Sequence, residues 1–285
     1  MNSSIQIRTT PTLPPELTNG SFLVFRRLQQ DVQAFYRDTD ALAQELSAAT
    51  GRPTSGSGLR TLIVGRFPSG ASLMRHEQEP ARPDGLTEIN YVEFGTALPA
   101  ITLDDGASVA ASAADPEALR GRRCPVWAHT RKVNPRDQAT NRGGPLETVG
   151  FQMLRRGIPF GPPYDHADPA NPDNQRERGL LFLSYQRKIA RQFTILNHDW
   201  MNNRDAPQAG GFDLLVGQNV PDEAGLHASK PAILFGPTVD ASDNGTGVAA
   251  ASQWVVPKGG AFLFAPSLAF VDKFAGEQNQ ARRTL

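Results

Sequence analysis

GLLFLSYQRKIARQFTILNHDWMNN, running from Gly179 to Asn203, decides the fold class. Its first eight residues, Gly179 to Gln186, are a short apolar run of the length and character of a buried strand. The continuation, Arg187 to Asn203, sets Ile189, Phe193, Leu196 and Trp200 at helical spacing and predicts an amphipathic helix. A strand handed directly to a helix recurs near the start of the chain. There SFLVFRRLQQ, Ser21 to Gln30, places Phe22, Val24 and Leu28 among polar neighbours as a half-buried strand does. Asp31 is placed to cap the helix that follows, DVQAFYRDTDALAQEL, whose apolar stripe is Val32, Phe35, Tyr36, Leu42 and Leu46. These elements follow one another without a regular βα period, so the chain reads as α+β rather than as a doubly wound sheet.

Outward from those two stretches the pattern is less regular. VGFQMLRRGIPFG, Val149 to Gly161, reads as a strand ended by Pro159. Pro257 to Gly260 resembles a hairpin turn between WVV and AFLFA. GRPTSGSG, Gly51 to Gly58, is loop by composition, and TLIVGRF is an apolar segment punctuated by Gly65 and Pro68. Residues 75–122 are poorly patterned, with YVEFG and ALPAITL as candidate short strands. Pro162 to Gly179 is a long polar loop of the kind that is usually functional or mobile.

Composition excludes several classes. Lys+Arg and Asp+Glu both number 29, which argues against a nucleic-acid binder built on general basicity. The single cysteine, Cys124, excludes an intramolecular disulfide and the CxxC zinc modules. No stretch is long and apolar enough to span a membrane, and the first twenty residues, polar and Pro-rich, hold no signal-peptide core. A cytoplasmic protein is expected. At 285 residues the chain has ample length for its own core, as one large domain or two ordinary ones.

Phosphate-loop, dinucleotide and zinc-protease fingerprints are absent, and the five histidines show no metal-ligand spacing. The densest polar segment is AHTRKVNPRDQATNR, where Arg131, Lys132, Arg136 and Arg142 crowd near His129. Such a cluster suits an anionic ligand with two or more carboxylates or phosphates. Arg155 and Arg156 interrupt an otherwise apolar strand whose successive residues face opposite ways, so one of them points toward the core or a pocket. The ordinary readings stand beside these: adjacent arginines are commonly surface residues, and a lone histidine is commonly structural.

The segments GSFLVFRRLQQDV, GRFPSG, CPVWAHTRKVNPR, LRRGIPFG, RGLLFLSYQRKIARQF and VVPKGGAFLFAPS, in this order from Gly20 to Ser267, resemble the dye-decolorizing peroxidases. The resemblance implies a ferredoxin-like antiparallel sheet with helices on one face, of the dimeric α+β barrel superfamily, carrying long loop insertions. It implies an N-terminal arm at 1–20 and a single haem domain at 21–275 with insertions near 75–122, 162–178 and 204–252. A polar tail at 276–285 completes that division. The implied cofactor is haem b. His129 aligns with the proximal iron ligand and Arg155 with the distal arginine of the peroxide pocket. Asp213 is the candidate acid partner of His129, and Arg131, Lys132 and Arg136 are candidates to meet the haem propionates. Phe160 and Phe264 are candidate wall residues, with core packing an equal alternative.

Against the family pattern, the chain starts where the C-terminal, haem-binding half begins, and the GxxDG motif that supplies a distal aspartate is missing. The resemblance therefore implies hydrogen peroxide and an organic reductant as substrates. It also implies a partner polypeptide bringing the other half, or a homo-oligomer, with no nucleic acid and no membrane. A non-catalytic or weakly catalytic haem-binding protein and a haem-free interaction subunit are the alternatives.

Overall fold

The structure, a computed structural model, describes residues 19–51, 53–74, 76, 78–80, 94–95, 101–102, 108–109, 113–115, 118, 121, 123–218, 230–233, 247–250 and 252–283. The candidate strand YVEFG lies largely outside them, as do the N-terminal arm and much of the 75–122 and 204–252 insertions.

Strand β1 (Ser21–Gln30) leads into helix α1 (Val32–Thr50), and helix α2 (Gly56–Val64) follows. Asp31 caps α1 as expected, its Oδ1 accepting from Ala34 N at 2.8 Å. The composition of Gly51 to Gly58 reads as loop throughout, yet α2 starts inside it. Ser55 Oγ accepts from Gly58 N at 3.0 Å and nucleates the turn, and Gly65 closes the helix in the left-handed conformation at φ 85°. TLIVGRF is thereby mostly helix, with Leu59, Thr61 and Ile63 buried.

Two short ladders, β2 (Ile101–Thr102) with β3 (Ser108–Val109) and β7 (Lys230–Ile233) with β8 (Gly247–Ala250), stand apart from the main sheet. Between them lie helices α3 (His129–Val133) and α4 (Pro145–Val149), strands β4 (Leu154–Arg155) and β5 (Ile158–Phe160), and β6 (Gly179–Gln186). The long strand β9 (Val255–Ala265) and helix α5 (Leu268–Arg283) close the order. The main sheet is antiparallel, with β9 beside β1, β1 beside β6, and both β4 and β5 on the far edge of β6. Counting β4 and β5 as one broken edge strand, this is the 4-1-3-2 strand order of a ferredoxin-like fold, as the resemblance implies.

Three local readings are corrected. The VGFQMLRRGIPFG run is not one strand: it breaks at Arg156–Gly157, and Pro159 sits inside β5, where an edge position tolerates the missing N–H. Residues Arg187 to Asn203 do not form one α-helix. Gln192 Oε1 accepts from the N–H groups of Arg187 and Lys188, replacing helical bonds with a side chain, and Ile195–Trp200 follows as a wider π-helical turn. Pro257 to Gly260 is no hairpin turn. Paired β1 keeps β9 extended across it, and a register shift at Arg27/Leu28 absorbs Lys258 as the extra residue.

Paired residues share a sheet face, so the ladder registers sort every strand side chain. One face carries Val24, Arg26, Phe182, Ser184, Gln186 and Arg155. Phe193, just before the π-helical turn, meets Phe182 and Phe262 on this face, which makes it the inner one. The outer face carries Leu23, Phe25, Leu181, Leu183 and Tyr185, with Leu154, Ile158 and Leu263 about half exposed. The buried apolar clusters are built from helices and loops, with Trp127, Trp254, Leu59, Leu214 and Ala43 in the largest. No described helix is long and apolar enough to cross a membrane.

Candidate active site around His129 and Arg155

The site is anchored where α3 leaves a buried run, Cys124 to Ala128. His129 opens the helix with its side chain about one quarter exposed, while Asp213 is fully buried. His129 Nδ1 and Asp213 Oδ2 are 2.7 Å apart. The other carboxylate oxygen, Asp213 Oδ1, accepts from Leu215 N and Val216 N, each at 3.0 Å. Burial alone would raise the Asp213 pKa. The charge and hydrogen bond of His129, the Val216 N–H and the charge of Lys132 outweigh it and hold the carboxyl below its ordinary value. An ionised Asp213 accepts only, so Nδ1 carries the proton of this hydrogen bond and Nε2 is the ring nitrogen turned to no carboxylate.

The glycine motif GRFPSG is built into the same locality. Thr130 Oγ1 donates to Val64 O at 2.7 Å. A Cβ on Gly65 would approach Thr130 and Ala128 to 3.1 and 3.3 Å, so the α2 terminus can close against the residues flanking His129 only with glycine there. The next residue, Arg66, is half-buried. Burial lowers its pKa first, and the neighbouring guanidinium of Arg155 lowers it further. Arg155, on β4, is exposed and shares the sheet face of its ladder partner Ser184. The motif GRFPSG does not by itself assign Arg66 a role. The available signal was a cation held between an apolar helix and two glycines.

The candidates for propionate contacts separate. Arg131 and Lys132 are buried, contrary to what their density in the sequence suggested. Arg131 donates to the carbonyls of Ala118 and Cys124 and to Gln138 Oε1. Lys132 Nζ donates to the carbonyls of Asn203, Ala206 and Gly211. All three ammonium protons are thereby committed, and neither side chain is presented at a surface where a propionate would lie. Arg136 is half-buried, with its backbone in the left-handed region at φ 52°. The wall candidates divide as well. Phe264 is opposite Phe22 on the inner face, their rings edge-to-face at 5.8 Å. Phe160 is on the outer face, under the Arg27 guanidinium at 5.1 Å, and does not share a face with Arg155.

None of the five strands of the main sheet contains an acidic residue, so their inner face offers Arg26, Arg155, Ser184 and Gln186 but no carboxylate.

Residues 103–209 match the family model described as Dyp-type peroxidase, C-terminal. Dye-decolorizing peroxidase msp1 of Mycetinis scorodonius is 30% identical over 268 residues, covering 90% of this chain and 46% of that protein. The multifunctional dye peroxidase DyP2 of an Amycolatopsis species is 27% identical over 271 residues, 92% of this chain and 50% of its own. Among solved structures, an ancestral D-type dye-decolorizing peroxidase superposes with a TM-score of 0.67 at 27% identity, covering 91% of this chain and 52% of that one. The chain thus spans about half the length of the curated relatives it matches. What it is similar to is thus the dye-decolorizing peroxidase family, which it matches through that family's C-terminal region.

Proposed function

We propose that the chain holds haem b on His129 and takes part in reducing hydrogen peroxide with one-electron oxidation of an organic substrate. The observation that carries this reading is the 2.7 Å contact between His129 and the fully buried Asp213. A haem iron would be held by one nitrogen of a histidine whose other ring nitrogen is fixed by a hydrogen bond, and His129 with Asp213 fits that requirement. When bound, the haem supplies the redox centre for peroxide reduction. Asp213 keeps the proton at His129 Nδ1 and leaves Nε2 as donor to iron. Arg155 would supply a fixed positive charge for the peroxide oxygens. Arg136 and Phe264 are the remaining candidates from the sequence for contact with the cofactor.

The carboxylate-free inner face supports a further point: the acid–base group for peroxide comes from a segment outside this sheet. We infer that a second ferredoxin-like half supplies it, on a partner polypeptide, and that this half also covers the outer face. The lone cysteine, free and buried, suits a reducing cytoplasm.

The test is haem reconstitution of the chain. A Soret band present in the parent and absent in a folded His129→Ala variant is the expected result. A parent with no Soret band, or an unchanged band in His129→Ala, refutes the assignment.

A further inference from the structure

Helix α3 is five residues long, too short to be stable on its own, so something else must hold His129 in place. One turn after His129, Lys132 is fully buried. Its Nζ donates to the carbonyls of Asn203 at 2.8 Å, Ala206 at 2.7 Å and Gly211 at 2.6 Å. These three carbonyls belong to the irregular segment between Trp200 and Asp213. That segment curls on itself, with Gly210 N and Gly211 N both donating to Arg204 O. Two residues beyond Gly211 comes Asp213, its own N–H bonded to Met201 O.

The ammonium is therefore the joint between the element that carries His129 and the loop that carries Asp213. A buried cation spent on neutral carbonyls is a costly arrangement, and an apolar side chain there would leave three carbonyls without donors.

We infer that Lys132 is a positioning residue that fixes the hydrogen bond between His129 and Asp213. The haem arm of its test rests on the function proposed above, whereas the hydrogen bond itself does not.

The experiment uses the full chain labelled with ¹⁵N-histidine, without haem, and follows the Nδ1–H resonance of His129, assigned by its disappearance in Asp213→Asn. Lys132→Met, Lys132→Arg and a core truncation outside the site, Leu46→Ala, are compared. The expected result is a hydrogen-bonded resonance in the parent and in Leu46→Ala, its loss in Lys132→Met, and its partial return in Lys132→Arg. A folded Lys132→Met that keeps the parent resonance overturns the inference. Should Lys132→Met fail to fold, Lys132→Arg decides: a resonance displaced from its parental position, with Leu46→Ala unmoved, supports the inference, and an unmoved one overturns it. After haem loading, Lys132→Met is expected to raise the ferric/ferrous midpoint potential in the same direction as Asp213→Asn. A chain that takes up no haem defeats the functional reading and leaves the resonance test intact.

Discussion

His129 Nδ1 and Asp213 Oδ2 meet at 2.7 Å across 84 residues of sequence, and Asp213 spends its second oxygen on two backbone N–H groups of its own loop. The carboxylate is thus oriented before any ligand arrives. Preorganisation of this kind raises the basicity of the free imidazole nitrogen and fixes its tautomer.

Replacing Asp213 by Asn is expected to weaken haem affinity by about 10- to 100-fold, the usual cost of losing the hydrogen-bond partner of a metal-bound histidine. Haem titration followed at the Soret band measures this, and an affinity equal to the parent's would show that Asp213 does not act through His129.

Arg155 has a separate signature. Arg155→Leu is expected to lower kcat/KM for peroxide by about 100- to 1000-fold while haem affinity stays near the parent's. Steady-state kinetics on the peroxidase-competent assembly, paired with the haem titration, separates the two effects. Arg155→Lys should recover part of the loss, since charge is kept and the planar fork is not.

The acid limb of stability follows from the carboxylates. Asp38, Asp199 and Asp213 all titrate below the ordinary range in the folded protein: for Asp38 and Asp213 burial opposes the shift and hydrogen bonds and cations overcome it, and for Asp199 the His198 bond leads. A group with a depressed folded pKa stabilises fully above its unfolded value, and that stabilisation is lost as pH falls through the folded value. The melting temperature should therefore hold down to about pH 4 and fall below it. Asp213→Asn should start lower and decline less steeply. A parental melting temperature that rises on acidification would contradict this.

Cys124 is fully buried, and burial pushes its thiol up to about 12 despite the opposing pull of Arg131 and Arg66. A thiol reagent at pH 8 should leave the native protein unmodified and label it once in denaturant. Rapid labelling of the folded chain would show that the run leading into His129 opens readily.

The outer sheet face tests the partner. Leu154, Ile158 and Leu263 are about half exposed on one apolar surface, which a soluble chain rarely leaves bare. Charged replacements at these three positions should reduce self-association of the isolated chain, read by light scattering, with little change in melting temperature. They should also abolish pairing with any polypeptide that supplies the second half. If association is untouched, the face is not where copies or partners meet.

Much of this was legible in the residues. The run GLLFLSYQ announced a strand because eight mostly apolar residues need burial on at least one side, and Asp31 announced a helix start because its carboxylate suits exposed N–H groups. Gln192 could not announce that its amide would take over backbone bonds, nor Lys258 that β9 would bulge rather than turn, because both depend on what the neighbouring strand or loop demands. Arg131 and Lys132 misled for a related reason. A cluster of cations in sequence does not say whether each one meets solvent, a ligand or a ring of carbonyls.

Sequence by itself determined β1, α1 and β6, the α+β character, the family resemblance and the candidates His129, Asp213 and Arg155. The element types follow from short-range periodicity and capping, and the three candidates from the resemblance. Only the tertiary structure decided that Asp213 reaches His129, that Lys132 turns inward to join their two segments, and that Phe160 and Phe264 fall on opposite sheet faces. The physical reason is that burial and strand register are set by contacts between residues far apart in the chain. A one-residue change of register reverses every side chain on a strand, and one committed lone pair or proton removes a group from the surface.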